Sequence, residues 1–192
     1  MPKRSPFTSL CGRLGDLASP RRVDLHIHTT ASDGEFTPEQ VVALGRQANL
    51  AAVAITDHDT LAAVEIARHA AGSHIELVPG VEISAEFERR EVHLLGYFIR
   101  ADHEPLNAAL ARLCDRRRDR FRDFIVRLGS QGMPIPEDRV RIVEERTASL
   151  GRRHVVGLLL ACQFARHRAE AFQRIVGPLT RDVLAKELLP LE

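Results

Sequence analysis

Two histidines that alternate with apolar residues open the part of the chain that could carry out chemistry. Residues 24–28 read Asp-Leu-His-Ile-His, so His26 and His28 are separated by one residue. On a β-strand this spacing puts both imidazoles on one face, with Leu25 and Ile27 on the other. Two imidazoles on one face can bind a metal ion, although the same pattern alone also occurs in pairs of core histidines.

Further acidic and histidine residues follow along the next apolar runs. A Ser-Asp-Gly turn contains Asp33, and the second run is followed by Thr-Asp-His-Asp-Thr, which contains His58. The third run contains Glu82, a carboxylate whose burial is unfavourable unless a cation compensates it. The fourth run begins at His93. This set of His, Asp and Glu without cysteine favours Mn, Zn or Fe at a hydrolytic site.

The elements that position these side chains are predicted to be parallel strands separated by helices, as in α/β sheets and barrels. The first helix begins with a capping box, in which Thr37 is the N-cap and Gln40 the third helical residue. Because the carboxyl ends of parallel strands meet at one edge, we expect the candidate residues to share one pocket. Strands are predicted at residues 23–27, 51–55, 76–78 and 93–98, and helices at residues 38–47 and 61–71.

Beyond residue 100 the strand pattern stops and a helical region follows. Residues 105–128 carry apolar side chains at spacings of three and four, which predicts one long helix. Two more helices are predicted at residues 137–150 and 154–176. The predicted parts are an N-terminal extension at residues 1–22, the first part of a barrel at 23–100, a helical insertion at 101–176 and the start of a return to the barrel at 177–192.

The composition limits the classes of protein to be considered. The 192 residues include 27 Lys and Arg against 26 Asp and Glu, a net charge of +1, which argues against binding duplex nucleic acid by bulk charge. No apolar run is long enough to cross a bilayer or act as a secretory signal, so we expect no membrane partner and a cytoplasmic location. The 3 cysteines lie far apart and are expected to be reduced thiols.

The order of the motifs resembles that of a known family. The chain reads Asp-Leu-His-x-His-Thr, Ser-Asp-Gly, Thr-Asp-His-Asp-Thr, Pro-Gly-x-Glu-Ile-Ser and His-Leu-Leu-Gly-Tyr, and in this it is similar to the PHP family, the polymerase and histidinol phosphatase domain. Within that family it is most similar to the stand-alone phosphoesterases, including nucleoside 3',5'-bisphosphate phosphatases and 5'-to-3' exoribonucleases. The resemblance implies a distorted (β/α)7 barrel, an α/β fold, with a helical insertion and up to three divalent metal ions, Mn first, with Zn, Fe or Mg as alternatives.

The resemblance also implies a role for each motif residue. Glu82 would bridge the first ion, held by His26 and His28, to the second, held by His93. The third ion would be held by Asp33 and His58, and the catalytic residues would be Asp33, His58 and Glu82. Because an imidazole that binds a metal usually donates its other N–H to a carboxylate or carbonyl, three aspartates are expected behind the ligands. These are Asp24, Asp57 and Asp59.

A Gly-Arg-Arg-His segment at the start of a predicted helix offers donors for a phosphate group. Relatives tend to read Gly-Arg-Pro-His there, so the resemblance implies that Arg152 and His154 bind phosphate, while Arg153 replaces the proline. The implied substrate is a nucleotide or a short oligonucleotide. The many arginines of the long helix are interpreted mainly as a solvated face, or else as a guide for an oligonucleotide. With no Trp and 1 Tyr, sequence-specific nucleic-acid binding is not expected.

The late part of the chain departs from the family pattern. The resemblance calls for a His beside a Pro and an Asp-x-His late in the chain, whereas no histidine follows His167. We therefore expect a barrel incomplete at the C-terminus, through truncation or because a partner chain supplies the rest, with self-association through the open edge. Three functions stay open: a metal-dependent phosphoesterase impaired in this chain, a non-catalytic fragment with partial metal sites, and the PHP module of a DNA polymerase.

Overall fold

The computed structural model describes residues 22–191. The predicted N-terminal extension therefore lies outside the described residues, apart from its last residue. The first half of the described chain alternates between strands and helices. These are β1 (Val23–Ile27), α1 (Pro38–Gln47), β2 (Ala52–Ile55), α2 (Val64–Ala71), β3 (Glu76–Phe87) and β4 (Arg90–Tyr97).

The first three strands form a parallel sheet in the order β1-β2-β3, which confirms the predicted α/β class. All the residues of the central strand β2 are apolar, and all of them are buried, as is typical of a strand inside a parallel sheet. Val53 and Ile55 of this strand pack in one hydrophobic cluster with Val41 and Val42 of α1 and with Ala67 of α2. The capping box of α1 forms as predicted, so this helix begins where the sequence places it.

The third and fourth strands differ from the prediction. β3 is 12 residues long and continues through Glu82 to Phe87, whereas the apolar pattern predicted its end at residue 78. β4 then runs antiparallel to β3, after a two-residue turn formed by Glu88 and Arg89. Because this turn contains no Gly, Asn, Asp or Pro, the sequence carries no signal for the reversal.

The second half of the described chain is mainly helical. It contains α3 (Glu104–Ser130), α4 (Glu137–Arg146) and α5 (Arg152–Ala161), followed by helical turns at Arg168–Glu170, Ala171–Val176 and Gly177–Leu179. The last two predicted helices are too long, because Thr147 is extended and Gln163 takes a left-handed φ of 61°. These elements enclose a second hydrophobic cluster, which includes Phe121, Phe124 and Leu128 of α3.

A short strand, β5 (Leu189–Pro190), returns to the sheet and pairs in parallel with Ala85 and Glu86 of β3. Within residues 22–191 the sheet is open, with β1 at one edge. The described residues therefore confirm the parallel-sheet α/β class, while the expected barrel, incomplete at the C-terminus, stays a prediction. Of the helices in the described range, none is long and apolar enough to cross a membrane.

Candidate metal centre

Glu82 lies at the centre of a cluster of histidines. Its Oε2 atom is 3.1 Å from Nε2 of His26, 2.6 Å from Nε2 of His28 and 3.3 Å from Nδ1 of His58. Its Oε1 atom contacts Nδ1 of His93. Two imidazoles from strands β1 and β4 and two from the segments after β1 and β2 thus meet a single carboxylate that is only 3% exposed.

Asp33 joins the cluster from the loop that follows β1. Its Oδ1 atom lies 2.8 Å from Nδ1 of His28 and 3.9 Å from Nε2 of His58. The loop turns back tightly, with the backbone N–H of Gly34 donating to the carbonyl oxygen of Thr29 at 2.9 Å. A Cβ atom at Gly34 would collide with the carbonyl oxygen of His28, so the turn that delivers Asp33 requires glycine.

The long strand β3 corrects the expectation that each ligand stands at a strand end. Glu82 lies in the middle of β3, and the segment after β2 runs alongside it through a parallel bridge between His58 and Glu82. The backbone N–H of Asp59 donates to the carbonyl oxygen of Glu82 at 2.9 Å. On β4, His93 lies opposite Ser84, so His93 and Glu82 share one face of the hairpin.

The cluster fits divalent metal ions on its own chemistry. Nε2 of His28 and Nδ1 of His58 are buried and have no hydrogen-bond partner within the described residues, although both lie close to Glu82. Such nitrogens are unfavourable when buried unless a cation accepts their lone pairs. Three groups each place one donor atom per residue within 4.8 Å of one another. They are His26, His28 and Glu82; His28, Asp33 and His58; and His58, Glu82 and His93.

The electrostatics of the cluster favour ionised carboxylates beside a neutral imidazole. Burial alone would raise the pKa of Asp33, but the hydrogen bond from His28 and nearby positive charges lower that pKa to about 2. Burial and the charge of Arg117 lower the pKa of His58 to about 4. The pKa of Glu82 is also lowered, because the surrounding histidines outweigh its burial. At Asp33, Glu82 and His58 these are the protonation states that a metal ion needs from its ligands. Burial alone would lower the pKa of His28, but its hydrogen bond to Asp33 and the nearby carboxylates raise that pKa instead.

The three aspartates expected behind the ligands have other partners, which corrects their predicted contacts. Asp57 accepts hydrogen bonds from the backbone and hydroxyl of Thr29, both at 2.7 Å, and from the hydroxyl of Ser32 at 2.5 Å. Asp24 accepts from the backbone N–H of His26 at 3.2 Å. Within the described part of the chain, none of Asp24, Asp57 and Asp59 contacts an imidazole. Asp57 instead fixes the loop between His28 and Asp33.

A cavity of about 270 Å³ opens beside His58 and His93 and is also lined by basic residues of the helical region. Arg120 of α3 and Arg152 at the start of α5 have no carboxylate partner within the described residues. Burial and the charge of Arg152 lower the pKa of Arg120, whose guanidinium also lies 5.7 Å from the ring centre of Phe124. The cavity therefore holds positive charge that is available to an anion.

His154 does not line this cavity, which corrects its pairing with Arg152. Its Nδ1 atom accepts a hydrogen bond from the backbone N–H of Gly151 at 2.9 Å, and its ring also bonds to the backbone of Ser32. His154 therefore connects the start of α5 to the loop after β1. Arg153, which replaces the proline that the resemblance leads us to expect, has Nε 3.5 Å from Oδ2 of Asp33 and lines the cavity.

Comparisons with known proteins agree with this geometry. The family model described as PHP domain matches residues 24–175, which is most of the chain. The chain belongs to the PHP domain family. The family predicted from the motifs is thus confirmed.

Individual relatives resemble this PHP domain at moderate identity. The 5'-3' exoribonuclease Rnm of Salmonella typhimurium is 37% identical over 158 residues, 80% of this chain and 53% of the relative. The 3',5'-nucleoside bisphosphate phosphatase of Chromobacterium violaceum is 35% identical over 112 residues, 58% of this chain and 39% of the relative. A solved structure from Bifidobacterium adolescentis, provisionally assigned as a metal-dependent phosphoesterase, superimposes with a TM-score of 0.80 at 31% identity and covers 90% of this chain and 61% of its own. The chain thus spans about half the length of the curated relatives it matches.

Arg117 of this PHP domain is an exception to the mainly solvated basic face of α3, on which Arg116, Arg118 and Arg127 form the expected i,i+3 and i,i+4 ion pairs. Its guanidinium donates to Oδ2 of Asp59 at 2.7 Å, to the hydroxyl of Ser84 at 3.0 Å and to the carbonyl oxygen of Leu150 at 3.2 Å. With 12% of the side chain exposed, Arg117 joins the helical region to the sheet directly behind the cluster. The sequence could not single it out, because 7 arginines lie on α3.

Glu91 and Lys186 complete the surroundings of the cluster, and the sequence analysis missed both. Nε2 of His93 lies 3.0 Å from Oε1 of Glu91, and Lys186 contacts the same oxygen. Burial alone would raise the pKa of Glu91, but the hydrogen bonds from Lys186 and His93 bring it down to about 2. The spacing of two between Glu91 and His93 was a usable signal, since it places both on one face of a strand.

Proposed function

We propose that this PHP domain forms the metal-binding and phosphate-binding part of a phosphoesterase that hydrolyses phosphate esters of nucleotides or short oligonucleotides. One observation carries the proposal: His58 and His93 of the cluster around Glu82 line a cavity that is also lined by Arg120 and Arg152. A phosphate group needs both metal ions and cationic donors. Some of its oxygens face the metal ions, and the others must be neutralised by the donors.

Each group of ligands in the cluster has a place in this proposal. His26, His28 and Glu82 would hold the first ion, and Glu82 would share the second ion with His93. Asp33 and His58 would hold the third. The donor set of imidazoles and carboxylates supports Mn²⁺ as the ion used, with Zn²⁺, Fe²⁺ or Mg²⁺ as alternatives.

The residues of the chain would prepare the phosphate for attack by water. When bound, closely spaced divalent ions lower the pKa of a water between them and neutralise charge on the phosphoryl oxygens. Glu82 would keep the sites close together, because one carboxylate serves two of them. Arg152 would bind a non-bridging phosphate oxygen, with Arg120 beside it. Their fixed positive charge would stabilise the additional negative charge of the transition state.

The size and lining of the cavity support a nucleotide rather than a bare phosphate. Phe172, which is partly buried, lines the same cavity and offers an apolar surface to a sugar or base. The names of two relatives, an exoribonuclease and a nucleoside bisphosphate phosphatase, support nucleotide phosphates as the substrate class. The proposal places the reaction in the cytoplasm, which the free thiols of Cys114 and Cys162 support.

Phosphate release is the direct test. The protein is loaded with Mn²⁺ and given a nucleoside 3',5'-bisphosphate, a nucleoside monophosphate and a 5'-phosphorylated short RNA, and both phosphate and nucleotide products are measured. We expect turnover of at least one of these above the background of Glu82→Gln. Arg152→Ala should raise KM by about 10-fold or more, because a hydrogen bond to a charged group contributes about 1.5–3 kcal/mol. Metal-loaded protein that turns over none of these substrates would contradict the proposal.

A matched control distinguishes the loss of one positive charge anywhere on α3 from the loss of an arginine in the cavity. Arg118 lies on the exposed side of α3, 3.6 Å from Asp115, and does not line the cavity. Arg118→Ala should therefore leave KM unchanged. An equal rise of KM in both variants would show that bulk charge, and not Arg152, attracts the substrate.

A further inference from the structure

One carboxylate outside the proposed ligand set contacts a ligand imidazole. His93 directs Nδ1 to Glu82 and Nε2 to Glu91, at 3.0 Å from its Oε1 atom. A neutral imidazole carries one N–H, so a proton held on Nε2 by an acceptor leaves the Nδ1 lone pair for a metal ion. We propose that Glu91 is a positioning residue that fixes this tautomer and orientation of His93, and that Lys186 holds Glu91 in place. The inference rests on the proposed function, since it concerns the same site.

The geometry of the hairpin supports this role for Glu91. Glu91 and His93 are two residues apart on β4 and therefore lie on one face of the strand. Glu91 also lies directly opposite Glu86 of β3, so two carboxylates face each other across the hairpin. Such a pair is destabilising unless a cation is near. Lys186 supplies that cation, and no other carboxylate within the described residues pairs with it.

Lys186 is brought to Glu91 by a segment that is fixed at several points. Within that segment, the backbone N–H of Leu184 donates to Oδ2 of Asp123 at 2.8 Å, and Oε2 of Glu187 lies 2.9 Å from Nε of Arg116. The segment continues into β5, which pairs with β3. The side chain of Lys186 is only 23% exposed, so it is held at the rim of the cavity rather than free in solvent. Docking of this segment therefore acts on a metal ligand 93 residues earlier in the chain, through Glu91.

Among the ligand histidines within the described residues, His93 alone contacts a carboxylate outside the proposed ligand set. The second nitrogen of His28 faces Asp33, which is itself a proposed ligand. Among the described residues, His26 and His58 contact no side-chain carboxylate other than those of Glu82 and Asp33. Removing Glu91 should therefore weaken one ion and leave the others in place.

Metal content and the state of His93 test the proposal directly. After dialysis, Glu91→Ala should lose one ion per chain, with affinity for that ion reduced by about 10–100-fold, while the other ions remain. In Zn²⁺-loaded protein labelled with ¹⁵N-histidine, the Nε2–H signal of His93 should be clear in wild type and lost or exchange-broadened in Glu91→Ala. Glu91→Asp should restore part of the metal content and part of the His93 Nε2–H signal. Lys186→Met should reduce the affinity for the same ion by a smaller factor.

A control and a second readout separate the possible failures. Glu86→Ala removes the facing carboxylate, which contacts no imidazole, and should leave metal content unchanged. Unchanged metal affinity and an unchanged His93 signal in Glu91→Ala would overturn the positioning role, even where phosphate release in wild type supports the proposed function. Selective loss of one ion in a protein that hydrolyses no phosphate ester would support the positioning role and contradict the function.

Discussion

At the scale of single residues, the centre depends on Glu82. A carboxylate that is 3% exposed would be strongly unfavourable alone, but four imidazoles surround it. Histidines can compensate it only when they are protonated or when they share cations with it. The neutral state favoured at His58 supports the second arrangement for that residue, whereas the raised pKa of His28 favours the first. Without metal ions the cluster is therefore a source of instability that depends on pH.

The lowered pKa of His58 predicts how the stability of the metal-free protein changes with pH. In the unfolded chain His58 becomes protonated as the pH falls below about 6.5. In the folded protein the imidazole stays neutral until the pH falls to about 4. The free energy of unfolding contributed by this group is thus complete above pH 6.5 and is lost as the pH falls to 4. Urea unfolding of chelator-treated protein at pH 7 and pH 5 should show a decrease larger by about 1–3 kcal/mol in wild type than in His58→Gln.

A surface histidine provides the comparison for this measurement. His69 is exposed on α2 and far from the cluster, so His69→Gln removes an imidazole without touching the site. It should keep the pH dependence of wild type. If the free energy of unfolding of His58→Gln fell between pH 7 and pH 5 by as much as that of wild type, the pH dependence would come from other groups.

At the scale of elements, the β3–β4 hairpin positions two of the six candidate ligands. Glu88 and Arg89 connect the strands with φ angles of 49° and 63°, the left-handed values that a two-residue hairpin turn requires at both positions. Residues with a side chain pay about 1–2 kcal/mol for this conformation. The hairpin therefore keeps a strained turn, and its register is fixed by the strands.

Relief of that turn strain is a prediction about stability. Arg89→Gly should raise the free energy of unfolding by about 1 kcal/mol, because glycine adopts a left-handed φ without steric cost. Thermal or urea unfolding measures the change. Arg90→Gly, one residue later and inside β4, should instead lower the stability by about 0.5–1 kcal/mol. Destabilisation by both variants would show that Arg89 contributes contacts that outweigh its strain.

The connection between α3 and the sheet gives a larger predicted effect. Arg117→Met leaves the carboxylate of Asp59 buried, with 1% exposed, and without its cation. Such a loss costs about 3–5 kcal/mol, measured as the change in the free energy of urea unfolding. Arg118→Met removes an exposed arginine from the next position of α3 and should change stability by less than about 0.5 kcal/mol. Equal small effects in both variants would mean that the Arg117 contacts contribute little net stability.

At the scale of the whole molecule, the described chain contains two separate hydrophobic clusters. One lies between the sheet and α1 and α2, and the other lies among α3, α4 and α5. Polar contacts join the two halves, including those of Arg117 and a bond from the backbone N–H of Ser149 to the carbonyl oxygen of Ala31 at 2.9 Å. The site thus lies where two separately packed regions meet, as is common for ligand sites.

Metal binding should stabilise the molecule as a whole, because the candidate ligands come from β1, β3, β4 and the connecting loops. At a free Mn²⁺ concentration of about 100 times Kd, the gain is about 2.7 kcal/mol. For a chain of this size that gain should raise Tm by roughly 5–10 °C in calorimetry. Chelator should reverse the rise, and Glu82→Gln should show little of it. A Tm that Mn²⁺ leaves unchanged in wild type would argue against metal binding at this cluster.

The sequence predicts the centre better than it predicts the fold around it. The pairing of His26 and His28 follows from the period of a strand, and the convergence of Asp33 and His58 with them follows from the rule that parallel strand ends share an edge. Glu82 follows from its place inside an apolar run, where a buried carboxylate needs a cation, and the family resemblance adds its bridging role. These are local or topological rules, and each can be applied to a sequence before any coordinates are known.

What the sequence does not predict depends on long-range contacts or on missing turn signals. The β3–β4 reversal lacks a turn residue, so the apolar pattern predicts a separate parallel strand where the structure has an antiparallel one. Arg117 is one of several arginines, and only packing selects which of them is buried. Lys186 meets Glu91 across 95 positions of sequence, a distance over which periodicity carries no information.

The register of the hairpin limits how this chain can vary in length. Ser84 pairs with His93 and Glu82 pairs with Leu95. The two candidate ligands therefore share one face only if the number of residues between them stays the same. Insertion or deletion of one residue within either strand would turn every later side chain to the opposite face and take His93 out of the centre. Residues added at Glu88 and Arg89 would lengthen only the loop. Length variation among homologous hairpins should therefore be confined to this tip, and the spacing from each ligand to the tip should stay constant.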